Sequence, residues 1–187
     1  MKSRNTSNSP YFEGRIDQKI YNTEVLRSAF DDWDEKTKEE KLKLTRDIEP
    51  ERMETSYNVT TDRLHQYFVD NLDPDNSNTV ANLSVSHLAL GTDDTTPVTS
   101  NTDLNNRKYE EVVTDVADNG KNLLASTFLD STEGNGNDFN EIGLYTGDPA
   151  NLTDNNVFMI NHSTFAPVTK DNSKTVTFDV TLSFSDN

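Results

Sequence analysis

Residues 175–184 alternate almost without a break between apolar and polar side chains. Val176, Phe178, Val180, Leu182 and Phe184 fall on one side, and Thr175, Thr177, Asp179, Thr181 and Ser183 on the other. Successive side chains of a strand point to opposite faces, so this pattern specifies a strand with one face buried and the other solvated. A lone strand is unstable in water, so the chain must also supply partners for it.

Turn chemistry upstream divides the sequence into those partners. Residues 83–90 form an apolar-rich run ended by Gly91, followed by a polar loop over 92–102 that contains Pro97. Residues 109–116 alternate and meet Asp118-Asn119-Gly120, a hairpin signal because Asn-Gly tolerates positive φ. Residues 123–129 read as the returning strand. A glycine-rich tip (133–137) separates it from 139–145, and Gly147-Asp148-Pro149 turns the chain towards 157–166 and then 175–184. Six strands with short polar turns predict an antiparallel β-sandwich or barrel-like domain.

The N-terminal part reads differently. Residues 1–14 are polar and predict a flexible arm. Over 22–33, Val25, Leu26, Ala29, Phe30 and Trp33 recur at helical spacing behind a possible cap at Asn22 or Thr23. A second helix starts at Thr37, where Glu40 completes a capping box. It carries Leu42, Leu44 and Ile48 and must stop ahead of Pro50. A third covers 61–71 with Leu64, Tyr67, Phe68 and Leu72 on one side, and 73–79 is a polar linker. The expected fold is therefore α+β: a flexible arm (1–14), a helical mounting region (15–79) and an antiparallel β-sandwich domain (80–187). That last domain is expected to hold its strands when cut near Asn78. The arm and the Val25–Trp33 stripe are the candidate anchor.

Thirty-three acidic residues face 17 basic ones, for a net charge of -16. Like charge of that size weakens a compact state at low ionic strength, and molar salt shortens its reach to about 3 Å. The acids are spread along the whole chain, as in proteins of halophiles. The same charge argues against nucleic acid, whose binders present basic patches.

Few residues suggest chemistry. The chain has no cysteine, so disulfides and thiolate metal sites are excluded. His65, His87 and His162 do not fall at a metal-ligand spacing. No Gly-x-Ser-x-Gly elbow, Walker loop or dinucleotide fingerprint is present. The carboxylate pairs Asp93-Asp94 and Glu110-Glu111 could serve a glycosidase on paper, but among so many acids they read as a solvated face. No catalytic, cofactor-binding or metal-ligating residue is nominated. A loop-bound cation stays open, because Asp73–Ser77 and Asp130–Asp138 (with Glu141 at the twelfth position) carry oxygen ligands in an incomplete calcium-loop pattern. Five glycosylation sequons, at Asn5, Asn58, Asn82, Asn151 and Asn161, fit chance in a chain so rich in Asn and Thr. No apolar run approaches the ~18 residues of a membrane helix, and residues 1–10 lack a signal-peptide core.

The order of motifs from His87 onward carries a resemblance. It reads His87-Leu-Ala-Leu-Gly-Thr92, Pro97, Thr102-Asp-Leu104 and Arg107. After the hairpin come Asn140-Glu-Ile-Gly-Leu-Tyr145, Val157-Phe-Met-Ile160 and Phe165-Ala-Pro-Val-Thr-Lys170, and then the alternating strand. Residues 83–184 thus resemble the tail-fibre and tail-collar proteins of tailed viruses. With the acidic composition, the resemblance implies a virus of a halophilic archaeon. It implies a virion structural protein, a tail-fibre or baseplate-associated component that helps tail assembly and host attachment, with no enzymatic activity. Its implied partners are copies of itself in a homotrimer, other tail or baseplate proteins, and a host cell-surface glycan or protein. Its implied location is the virion tail, assembled in the host cytoplasm. A head-surface spike or turret of the same kind of virus would need the same module. A secreted carbohydrate-binding module or glycoside hydrolase is the alternative of another class. Against it, the lone Trp33 falls in a predicted helix away from the β domain.

Overall fold

A computed structural model describes residues 11–72, 84–154 and 156–185. The elements in chain order are β1 (Tyr11–Asn22), α1 (Thr23–Ala29), a 3-10 turn (Trp33–Glu35), α2 (Lys38–Thr45), β2 (Arg52–Thr60), α3 (Asp62–Leu72), β3 (His87–Gly91) and β4 (Arg107–Val112). They continue with β5 (Asp115–Asp118), β6 (Asn122–Leu129), β7 (Asn137–Tyr145), β8 (Met159–Lys170) and β9 (Lys174–Ser185).

The strands form one curled antiparallel sheet in the order β4-β3-β7-β8-β2-β1-β9-β6-β5. It folds into two facing layers because β2 changes partner along its length. Positions 52–58 of β2 pair with β1, while Val59 and Thr60 pair with β8. The two ends of the sheet, β4 and β5, are consecutive in the chain. Residues 113–114 join them, with the Val113 N–H on the Ser86 carbonyl (2.8 Å) and the Thr114 N–H on that of Ser126 (2.9 Å). The run expected as one strand over 109–116 is therefore two strands around a corner.

Between the layers lie Ile16 and Ile20 of β1, Leu88 and Leu90 of β3, Ile142 and Leu144 of β7, and Val176, Phe178, Val180 and Leu182 of β9. The Phe165 ring meets Phe178 across the gap with centroids 5.9 Å apart. The apolar face of the closing strand is thus the core face, as its alternation requires.

The N-terminal region departs from the sequence reading. Residues 11–22, expected as arm and mounting region, are a central strand paired with β9 along its whole length, from Tyr11 opposite Ser185 to Asn22 opposite Lys174. Residues 52–60 are a strand as well. Both layers therefore need residues upstream of 80, and the boundary drawn there does not separate two folding units. The three helices do form. Thr37 Oγ1 accepts the Glu40 N–H (3.3 Å) and the Glu40 carboxylate accepts the Thr37 N–H (2.9 Å), which is the expected capping box.

Helices α1 and α2 lie on the outer face of β1, β9 and β6, where Tyr21, Leu26, Trp33, Leu42 and Phe128 form a second core. The Trp33 ring packs edge-on to Phe128 at 6.1 Å. Leu26 and Trp33 are turned into the protein while Val25 is 53% exposed, so the stripe expected as an anchor instead holds the helices to the sheet. The same layer covers part of the polar face of β9. Thr175 and Thr177 are buried, and Thr175 Oγ1 lies 3.0 Å from Thr23 Oγ1. The closing strand is therefore buried on both faces over its first half.

Residues 1–10, the linker 73–79 and the loop Asp73–Ser77 lie outside the described residues. No described helix is long and apolar enough to cross a membrane.

Candidate functional site

Six of the motif residues, Gly91, Leu104, Glu141, Gly143, Tyr145 and Met159, meet on the outer face of β7 and β8. Residues 141, 143 and 145 of β7 alternate outward while Ile142 and Leu144 face the core, so Glu141, Gly143 and Tyr145 form one row. The loop 92–106 lies across that row. Leu104 packs with Ala89, Tyr145 and Met159. A Cβ on Gly143 would sit 3.0 Å from Leu104 Cδ2 and 2.9 Å from Met159 Sδ, so only glycine lets the loop approach so closely.

Glu141 is the centre of this arrangement. Its side chain is fully buried, in space left by Gly91, whose Cβ would come within 2.2 Å of Oε1. Its carboxylate accepts the N–H groups of Asn106 (2.8 Å), Asn105 (3.0 Å) and Asp93 (3.3 Å). His162, opposite Gly143 on β8, brings Nε2 to 3.1 Å from Glu141 Oε2. His162 Nδ1 lies 3.1 Å from Asn101 Oδ1, an oxygen that also accepts the Val98 N–H. Both ring nitrogens thus face oxygen atoms of neighbouring side chains. Burial pushes the Glu141 carboxyl upward. The bonds from His162 and from the Asn106 and Asn105 N–H groups outweigh it and hold the group below the ordinary carboxylate range.

The rest of the loop is tied down beside them. Tyr145 donates its hydroxyl to Asp103 Oδ1 (2.6 Å) and accepts the Leu104 N–H (3.2 Å), and Arg107 pairs with Asp103 (3.4 Å) and with Glu110. Burial, then Asp103, pushes the Tyr145 hydroxyl well above its ordinary range. This is a clasp. An acid and an imidazole stand together, but both are sealed from solvent and their other partners belong to the loop.

A second polar cluster joins α2 to the glycine-rich tip. Lys41, buried under Trp33, pairs with Asp130 at 2.5 Å, and Lys38 bridges Glu111 (2.9 Å) and Glu133 (2.6 Å). Lys170 is buried with Nζ on Asn135 Oδ1 (3.0 Å) and the Asp171 carbonyl (3.3 Å). Burial pushes its ammonium down to about 8 against the pull of Asp130, Asp171 and Glu133. Of the carboxylates of the loop Asp130–Asp138, Asp130 and Glu133 are engaged by lysines, Asp130 also by the Ser131 N–H (2.7 Å), and Asp138 by the Thr169 hydroxyl (2.5 Å). Among the described residues, no group of three or more His, Cys, Asp or Glu side chains could hold a metal.

The other candidates fall apart in space. His87 Nδ1 meets Ser86 Oγ (2.8 Å), and His65 sits on α3 with Nε2 3.5 Å from Thr60 Oγ1. Glu110 and Glu111 are neighbours on a strand and point to opposite faces; one meets Arg107, the other Lys38 and the Tyr109 hydroxyl. Asp93 accepts the Thr95 N–H (2.8 Å) in a turn of the clasp loop. Asn161, read as a sequon, is buried with its Oδ1 on the Leu144 N–H (3.0 Å). The sequence offers no signal for the Glu141–His162 pair, because their meeting is a property of strand register. No protein-family model, curated protein or solved structure matches the chain.

Proposed function

We propose that this chain is a virion structural protein, a tail-fibre or baseplate-associated subunit that acts by assembly and host attachment and turns over no substrate. The observation that carries the reading is the convergence of the motif residues. Gly91, Leu104, Arg107, Glu141, Gly143 and Tyr145 of that motif make up one clasp with His162, so the middle of the order resembling tail-fibre proteins has a folding role. Segments joined in this way suit a module that must hold its shape while it is displayed.

The subunit is read as a homotrimer, as the resemblance implies, in a virus of a halophilic archaeon. Tyr57 is 78% and Met53 50% exposed on the outer face of β2, beside Arg15 and Lys19, and these apolar groups suit contact with a neighbouring copy. The bases are largely engaged within the chain, as in Lys19–Asp179, Arg27–Asp34, Arg46–Asp115 and Lys174–Asp171. That leaves the excess acid on the surface, where molar salt screens it. Imaging particles with the chain labelled tests the proposal. Labels at the tail support it, labels at the capsid surface favour a head spike, and a chain absent from particles overturns it.

A further inference from the structure

The sheet splits open between β2 and β8. After Val59–His162 and Thr60–Asn161 the two strands have no further paired positions, so 53–56 of β2 and 165–168 of β8 face each other across a slot. At about 3.3 Å per residue the slot is roughly 13 Å long. It is closed at both ends. Ser163 Oγ donates to the Tyr57 carbonyl (2.9 Å) at one end, and Arg52 reaches the Pro167 carbonyl (3.3 Å) at the other.

The cavity in the slot has a volume of about 330 Å³ and is lined by Gln18, Glu54, Thr55, Ser56, Phe165 and Ala166. Gln18 comes from the core face of β1, opposite Phe178 on one side and Glu54 on the other. It is 2% exposed, and both Oε1 and Nε2 lack a hydrogen-bond partner among the described residues. A buried carboxamide left without partners is destabilising, and an apolar residue would suit the core better at this position.

We propose that this slot binds a neutral pyranoside. The Gln18 carboxamide offers a donor and an acceptor side by side, the complement of two neighbouring hydroxyls. Ser56 Oγ and Glu54 offer further polar contacts, and the Phe165 ring offers an apolar wall. An anionic ligand is disfavoured by Glu54 and by the net charge of -16. A cation gains little, because Arg52 already pairs with Glu54. An apolar ligand would leave Gln18 unpartnered. An extended peptide adding to the strand edges would have to run through the slot, and the Ser163 and Arg52 bonds close its ends. The site lies within one chain, so it stands or falls independently of any place in a virion.

The test is a titration of the full-length protein in molar NaCl with the methyl pyranosides of glucose, galactose and mannose, up to about 10 mM, a range that reveals dissociation constants near 1 mM. The readout in the unaltered protein is the side-chain amide resonance pair of Gln18, assigned by its loss in Gln18→Leu; in both variants binding is read from the backbone amide shifts of Thr55 and Ala166, which line the same cavity. At least one glycoside is expected to shift that pair saturably. Gln18→Leu should weaken binding at least tenfold and raise the melting temperature, since it removes an unpartnered polar group. Ser56→Ala, a milder change at the rim, should weaken binding while leaving the fold intact. Three results overturn the proposal: no glycoside shifts the pair, binding is unchanged in both variants, or an extended peptide shifts the pair where the glycosides do not.

Discussion

Replacing Glu141 with alanine removes the acceptor at the centre of the clasp. Three N–H groups, of Asp93, Asn105 and Asn106, and the ring of His162 would lose their partner at a fully buried position. Each buried polar group left unsatisfied costs about 1–3 kcal/mol, and this substitution frees several of them at once. The costs do not add, because the loop 92–106 can lift and let water reach the freed groups. The expected loss is therefore about 3–5 kcal/mol, a large share of the roughly 5–15 kcal/mol that holds a domain of this size. Glu141→Gln keeps the shape and one acceptor oxygen but turns an amide donor towards its neighbours, and should lose about 1–3 kcal/mol. Denaturant unfolding in fixed molar salt gives the loss, and amide exchange locates it. Asn105 and Asn106 should lose protection in Glu141→Ala while the β9 amides keep theirs. A loss under about 1 kcal/mol with those two amides still protected would refute the clasp.

Three further outcomes follow from the same structure. A chain shortened to residues 78–187 loses β1 and β2, and with them Ile16, Ile20 and the partner of β9 along its whole length; circular dichroism in molar salt should show no cooperative melt. Thr177→Ala should cost about 1–3 kcal/mol in thermal melts, well above the ±0.5 kcal/mol of a solvated site, because helices cover this face of β9. Stability should also vary with pH in two windows. Glu141 titrates below its ordinary range when folded, so its contribution is present above that range and is lost as pH falls through the folded value, a fall that Glu141→Gln flattens. Lys170 titrates near 8 when folded against 10.5 unfolded. The unfolded chain therefore binds more protons between those values, and stability should rise with pH there unless Lys170→Met removes the group.

What the sequence makes legible is whatever depends on near neighbours. The Thr37–Glu40 box, the Asp118–Gly120 hairpin and the period-two pattern of β9 are local, and each appears where expected. β1 and β2 escape for a physical reason. The core-facing positions of β1 include Gly14 and Gln18, and those of β2 are Glu54, Ser56 and Asn58, while Met53 and Tyr57 face out. The apolar alternation of β2 is thus inverted, and no pattern rule recovers a strand whose buried face is polar. The clasp is hidden for a different reason. Glu141 and His162 lie 21 residues apart and meet only because Gly143 pairs with His162 in the β7–β8 register. The corner at 113–114 breaks a run whose alternation continues through it, so the pattern reads as one strand.

The central claim is that the chain works as an assembled subunit, and its mass in solution tests that most directly. Light scattering on the purified full-length protein in molar NaCl should give three times the 21.1 kDa chain, and Tyr57→Ala should shift that mass downward without lowering the melting temperature of the released chain. A single-chain mass across the accessible concentration range would contradict the account.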